Sequence, residues 1–378
     1  LSDQQKINVL IVPDLFPQDE NDMKGIFIPD YLKASSGFCN VTALVMRLKG
    51  KKSGVQRERK YNAEIITCTI SERNIAKWMK PFVYMKYLQK AIELGLNEKN
   101  IQVIHAHGSI LSGAIAWRLS KRMKIPFVLT EHAGPFAAVK GWKLKWTKFI
   151  MEKAHAVLNV SNHAKKQILE SGIKMRESFV TYNPVDTELF NLSEKRGKTF
   201  LFAGRLDSFK GACRTLRAFE QIHSEYPGWN FVIAGDGEDM SPIKSFLETH
   251  LGLKEKVILK GQLNRRELAA EMSKAAFFVF PSLHETFGLV IAEALSCGIP
   301  VIAPDRTAPP EFVHSDNGFL VDPSDEKKIR EALEKMLNNY SSYDAQKMRQ
   351  EMVERFGFNN FGRNLHAIYS ATISKFKS

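Results

Sequence analysis

Cysteine is scarce in this 378-residue chain: only Cys39, Cys68, Cys213 and Cys297 occur, far apart and with no CxxC pair. A disulfide framework and a cysteine-held zinc site are therefore not expected, and a reducing cytoplasm is the expected setting. No apolar run approaches the roughly 18 residues of a membrane-spanning helix. No basic segment leading into an apolar stretch opens the chain, so no secretory signal is expected. The first apolar run ends in Pro13-Asp14-Leu15-Phe16-Pro17 rather than in G-x-G-x-x-G, which removes the main support for a dinucleotide-dependent dehydrogenase. No D-x-D pair suited to a divalent metal occurs; Asp236-Gly237-Glu238-Asp239 comes nearest and reads as a turn. Internal repeats and low-complexity stretches are missing too. Acidic residues are short in one half only. Residues 1–185 hold 29 Lys and Arg against 15 Asp and Glu, whereas residues 186–378 hold 25 against 26. A one-sided positive field favours an anionic partner, such as a membrane surface, a nucleic acid or a phosphorylated substrate.

What is present is a globular composition, 44% hydrophobic and 25% charged, which excludes a disordered chain. Short apolar, β-branched runs alternate with helical stretches. They fall at 7–13, 41–48, 63–70, 101–107, 126–132, 156–161 and 179–184, then at 199–206, 231–237, 256–263, 277–282, 300–305 and 318–323. The runs are continuous rather than alternating, as in parallel strands covered by helices on both faces. The expected fold class is α/β, with two Rossmann-like doubly wound domains facing across a cleft. The expected division is 1–190, 191–355 and a final helix within 356–378 that packs on either domain or crosses back to the first. The polar stretch NLSEKRGK (191–198) reads as the linker.

Charged groups cluster in the second half. Gly204-Arg205-Leu206-Asp207-Ser208-Phe209-Lys210-Gly211 follows a strand. A planar fork and a point charge five residues apart suit a diphosphate. Pro281-Ser282-Leu283-His284-Glu285-Thr286-Phe287-Gly288-Leu289 follows another strand, with a helix expected from Thr286 or Phe287. Glu285 then precedes the helix, and the amides of Phe287, Gly288 and Leu289 favour an anion. Glu293 lies eight residues on, about 12 Å along a helix. Two carboxylates at that separation reach two ends of an extended ligand, and vicinal sugar hydroxyls donate in pairs to a carboxylate.

With these residues in view, the chain resembles glycosyltransferase family 4, the retaining transferases of GT-B fold. Glu285 through Glu293 resembles the family's E-x7-E motif, GRLDSFKG its donor-diphosphate motif, NPVDTELF (183–190) its lead into the second domain, and HETFGLVIAEALSCGIPVIA (284–303) its most specific stretch. The resemblance implies that Arg205 and Lys210 neutralise a donor diphosphate and that Glu285 holds the transferred sugar near the reacting carbon. Glu293 would bind the ribose, and Phe287, Gly288 and Leu289 would contact sugar or phosphate through their amides. Gly235, Gly237 and the Gly261-Gln262-Leu263 turn would shape the nucleotide pocket. In the first domain, members often carry a glycine-rich loop where this chain has FPQDENDMKGIFIPDYLKA (16–34), with only Gly25 in place. His107 resembles the histidine that touches the donor sugar, and His105 is expected on the other face of its strand. Glu131 and His132 are the candidates for acceptor contact.

The expected reaction is therefore transfer of a sugar from a UDP- or GDP-sugar, without metal or other cofactor and with retention, to a glycan, lipid-linked or small-molecule acceptor. Cell-surface polysaccharide or lipopolysaccharide assembly is the expected context. Two basic stretches, 73–90 and 140–150, suggest an anionic membrane surface as partner and a place on its inner face. In the second stretch Trp142, Trp146, Phe149 and Ile150 are expected on one helix face. A nucleotide-sugar epimerase is one alternative, and a non-enzymatic nucleotide-sugar or nucleic-acid binder another. No basic–aromatic RNA signature appears, so nucleic acid is not an expected partner.

Overall fold

The computed structural model describes residues 6–48, 54–70, 96, 100–132, 139–192 and 196–378. The chain divides into two compact units. Unit 1 takes the chain up to Gln18, Met23–Pro184 and Phe358–Ser378; unit 2 takes Asp19–Asp22 and Val185–Gly357.

Unit 1 is built on an eight-stranded sheet in the order β3-β4-β2-β1-β5-β6-β7-β8. The strands are β1 (Ile7–Pro13), β2 (Cys39–Leu48), β3 (Gly54–Lys60), β4 (Ala63–Ile70), β5 (Val103–His107), β6 (Phe127–Glu131), β7 (Ala156–Asn159) and β8 (Ser178–Val180). Helices α1 (Ile28–Ser36), α2 (Leu111–Met123), α3 (Gly141–Lys153) and α4 (Asn162–Glu170) accompany them. Strand β1 is apolar throughout because both its faces are covered: Leu10 and Val12 join one core with Ile104, Phe127 and Ile150, and Val9 and Ile11 join the other with Tyr31 and Phe361. All pairings are parallel except that of β3 with β4. Strand β3, GVQRERK, escapes a search for apolar runs because it is an exposed, charged edge, and such an edge resists pairing with another chain.

Unit 2 carries a six-stranded sheet in the order β11-β10-β9-β12-β13-β14, parallel throughout. Its strands are β9 (Thr199–Ala203), β10 (Asn230–Ala234), β11 (Val257–Gly261), β12 (Phe277–Val279), β13 (Val301–Pro304) and β14 (Gly318–Val321). Its helices are α5 (Ala212–Glu220), α6 (Met240–Thr249), α7 (Leu251–Lys254), α8 (Arg265–Met272), α9 (Leu289–Ser296), α10 (Glu326–Asn339) and α11 (Ala345–Phe356). Phe231, Phe200 and Phe277 stack across three neighbouring strands at centroid separations of 4.5 and 5.1 Å. Strand order reverses between β9 and β12. Their following loops splay apart there, which is where open α/β sheets bind ligands.

The chain crosses to unit 2 between Pro184 and Val185, ahead of the polar stretch 191–198. Val185 and Phe190 are already buried, and the Val185 amide donates to Phe356 O at 2.9 Å. The last helix, α12 (Phe358–Lys377), belongs to unit 1. It buries Phe361, Leu365 and Tyr369, one helical face at spacings of four, against α1 and the sheet. Gly362 allows the close approach: a Cβ there would stand 2.2 Å from Ala34 O and 2.6 Å from the Phe38 ring. Gly362→Val should therefore lower unit 1 stability by about 1–3 kcal/mol, read as an earlier thermal transition. An unchanged transition would show that the helix docks without that contact.

Candidate active site

In unit 2 the residues singled out by sequence gather on loops at the carboxyl ends of the strands. The loop after β9 is shaped by Asp207, which is buried and accepts from the amides of Phe209 and Lys210 at 3.0 and 3.1 Å. The same carboxylate holds the Arg205 guanidinium, whose side chain is otherwise largely exposed. Lys210 leaves this turn inward. Its Nζ donates to Glu285 Oε1 at 2.6 Å and lies 5.6 Å from the centre of the Phe280 ring.

Glu285 belongs to the loop after β12, which three contacts hold in place. The Leu283 amide donates to Phe209 O at 2.7 Å, the Glu285 amide to Thr307 Oγ1 at 3.2 Å, and the Phe287 ring is buried against Phe312 and Phe356. This corrects two expectations. Helix α9 opens at Leu289 behind Gly288 at φ 90°, not at Thr286 or Phe287, because Phe287 is drawn into the core. Only the second half of the span from Glu285 to Glu293 is therefore helical, so a helical rise of 12 Å does not describe it. The first turn of α9 still presents the Leu289 amide at its N-terminus.

Glu293 is not on a solvated helix face. Its carboxylate is buried and paired with Arg265 Nη1 at 2.8 Å, and the Arg265 guanidinium lies 5.0 Å from the centre of the Phe190 ring. Arg265 was missed from sequence. Its signal was the Asn264/Glu267 capping box, which starts α8 directly after the turn containing Gly261 and Leu263. Gly235 and Gly237 lie on the loop after β10, at φ 145° and 151°, where a Cβ would stand 1.9 Å from Gly204 O and 2.3 Å from Leu206 O. Only glycine lets that loop close on the Arg205 loop. The structure thus brings Lys210 to Glu285 and Arg265 to Glu293, and packs the Gly235 and Gly237 loop against the base of the Arg205 loop.

In unit 1, β5 and β6 end side by side, with His107 opposite Thr130 in register. His107 Nδ1 and His132 Nε2 share a hydrogen bond of 2.9 Å, and the Tyr31 ring meets His107 edge-on at 4.6 Å. His105 lies on the same face as His107, with ring centres 4.2 Å apart. That overturns the opposite-face expectation, because residues two apart on a strand share a face. His105 is held by Tyr369 at 2.6 Å and Thr130 at 2.7 Å. Glu131 is buried and accepts from the Ser109 and His132 amides at 3.2 and 3.0 Å. Gly25 lies ahead of α1, with its carbonyl accepting from the Ile28 amide at 2.9 Å. His107 Nε2 is buried with no hydrogen-bond partner among the described residues. Among the described residues no group of three or more His, Cys, Asp and Glu is arranged to hold a metal ion.

Burial pushes His105 and His132 down to about 3, and burial, then His105 and His132, push His107 well below the usual value. All three rings are neutral at pH 7. Below pH 6.5 the unfolded chain takes up protons that the folded rings refuse. Their contribution is thus full above pH 6.5 and lost as pH falls towards 3. Thermal stability of unit 1 should drop between pH 7 and pH 5, by about 2 kcal/mol at pH 5 for each of His105 and His132, with His107 acting in the same direction. A stability flat across that window would mean that the rings are charged in the fold.

Comparison with known proteins gives matches along both halves of the chain. A family model for glycosyl transferases group 1 matches residues 186–355, and one for glycosyltransferase family 4 matches residues 52–189. An uncharacterized glycosyltransferase of Methanocaldococcus jannaschii is 29% identical over 269 residues, 69% of this chain and 73% of its own. Sucrose-phosphate synthase from Thermosynechococcus elongatus superposes with a TM-score of 0.78 at 19% identity, over 98% of this chain and all of the other. The Anabaena protein HepE, solved with UDP-glucose, gives 0.74 at 18% identity, over 97% of this chain and all of its own.

Proposed function

The chain belongs to the family-4-like glycosyltransferases of GT-B fold, and on that premise we propose that it is a retaining, metal-independent transferase that takes a sugar from a UDP-sugar. The observation that carries this reading is the Lys210–Glu285 pair at the switch point of the unit 2 sheet. Without ligand, each charge is the other's counter-ion. A donor diphosphate competes for Lys210, and its arrival frees Glu285 to accept hydrogen bonds from the hydroxyls of the transferred sugar. Lys210, with Arg205 beside it, then supplies the positive charge that the departing diphosphate needs. This is why no metal is called for. Glu293, held by Arg265, takes the ribose hydroxyls. UDP is favoured over GDP because HepE was solved with UDP-glucose. His107 is the unit 1 residue put forward for the sugar, on the family resemblance and its buried Nε2, which has no partner among the described residues.

For the acceptor we put forward a glycan or lipid-linked molecule at an anionic membrane surface on the cytoplasmic side, in cell-surface polysaccharide assembly. No described helix is long and apolar enough to cross a membrane, and the association put forward is peripheral. Support comes from α3. Ile150 is buried and Trp146 and Phe149 pack on the core, whereas Trp142, on the same helix face one turn before Trp146, is 65% exposed. Lys140, Lys143 and Lys145 are exposed around it. An exposed tryptophan ringed by lysines suits a headgroup layer. The other basic stretch, 73–90, lies outside the described residues.

UDP should raise the thermal transition equally with and without EDTA. Lys210→Ala and Glu285→Gln should each lower transfer or donor hydrolysis about 100-fold or more. Activity lost in chelator and restored by Mg²⁺, or near-normal turnover by either variant, would refute this assignment. On vesicles containing anionic lipid at low salt, the protein should cosediment, and Trp142→Ala should release much of it. Equal sedimentation of the variant, or none by the parent, would refute the surface.

A further inference from the structure

Glu285 stands four residues ahead of α9 and cannot take its position from the helix. Among the described residues only six non-glycine residues have positive φ: Tyr61, Asn62, Asn100, Lys124, Tyr182 and Thr307. Thr307, at φ 65°, is the only β-branched one, and a β-branched side chain is strongly disfavoured there. Strain of this kind persists only where the surroundings impose it, and it gathers at functional sites. The surroundings here are explicit. Arg306 is tied to Asp305 at 3.1 Å and to Asp322 at 2.5 Å, and Ala308 and Pro309 on the other side are buried. The Thr307 hydroxyl donates to Arg306 O at 2.6 Å, and its oxygen accepts the Glu285 amide at 3.2 Å.

We infer that Thr307 is a positioning residue for Glu285, its strained backbone held so that the hydroxyl clamps the Glu285 amide and fixes the carboxylate beside Lys210. A glycine would adopt this backbone more easily but carries no hydroxyl; the residue present is the less comfortable one that makes the bond. The inference rests on the functional reading of Glu285 above, and it concerns the hydroxyl, not the methyl group.

The test compares Thr307→Gly and Thr307→Ser in the full chain. Three properties are read: thermal stability, hydrogen exchange of the Glu285 amide, and UDP release from UDP-glucose, UDP-galactose and UDP-N-acetylglucosamine. Thr307→Gly should be as stable as the parent or more so. Its Glu285 amide should exchange several-fold faster. Its kcat should fall about fivefold, as for one lost hydrogen bond, with UDP affinity unchanged. Thr307→Ser should restore both exchange and kcat. Parental exchange in Thr307→Gly overturns the inference, as does parental kcat in Thr307→Gly or equal impairment of both variants. A parent that neither binds UDP nor releases it from any of the three overturns the transferase reading instead. The exchange arm then still decides whether the clamp exists.

Discussion

The ion pair between Lys210 and Glu285 is the contact on which the organisation of unit 2's site depends. Both side chains are mostly out of water, at 23% and 13% exposure, and a charge in that setting needs a partner. Each supplies the other's, and neither residue sits in a regular element. Lys210 ends a turn built on the Asp207 carboxylate, and Glu285 lies on a loop fastened to Phe209 and Thr307. The sheet provides the frame: only at the β9–β12 reversal do two such loops part enough for opposite charges to meet above the strand ends. On the proposed reading, an anion entering there competes with Glu285 for one ammonium, and its binding releases the carboxylate.

Unit 1 organises polarity in another way. His105, His107, His132 and Tyr31 form a packed aromatic cluster whose hydrogen bonds join neutral groups. Burial keeps the imidazoles uncharged, so they add nothing to the +14 excess of the first half, whereas Lys143 and Lys145 of α3 are exposed. A neutral ring nitrogen gives or takes one hydrogen bond of fixed direction without attracting a counter-ion. That suits contact with an uncharged hydroxyl. Tyr369 extends the cluster to α12, so the last helix of the chain braces the ring next to His107.

Much of this could be read in the sequence, for physical reasons that also mark its limits. Buried parallel strands must be apolar on both faces, so thirteen strands announce themselves; β3 does not, because an exposed antiparallel edge needs no apolar residue. Arg205, Lys210 and Glu285 stand out as charges on loops that follow strands, and Glu293 by its spacing of eight from Glu285. Arg265 does not, since an arginine opening a helix usually points to water and only the fold turns this one onto Glu293. The start of α9 was misplaced because local propensity says nothing of the core space that takes up Phe287. Thr307 left no local signal: a threonine in a polar loop looks ordinary until its φ is known.

The two glutamates of the E-x7-E motif therefore owe their places to different physics. Glu293 lies within α9, and the helix sets its direction by the hydrogen bonds that set every residue there; its remaining requirement is a counter-ion, which Arg265 meets. Glu285 lies upstream of Gly288, where no repeating bond fixes the chain. Loops of that kind sample many conformations unless outside contacts remove them. The amide bond to Thr307, the ammonium of Lys210 and the buried Phe287 ring each remove some. A spacing of eight residues thus joins a helical anchor at one end to a clamped loop at the other. On the proposed reading, a ligand that takes Lys210 removes one restraint from the clamped end and none from the anchored end.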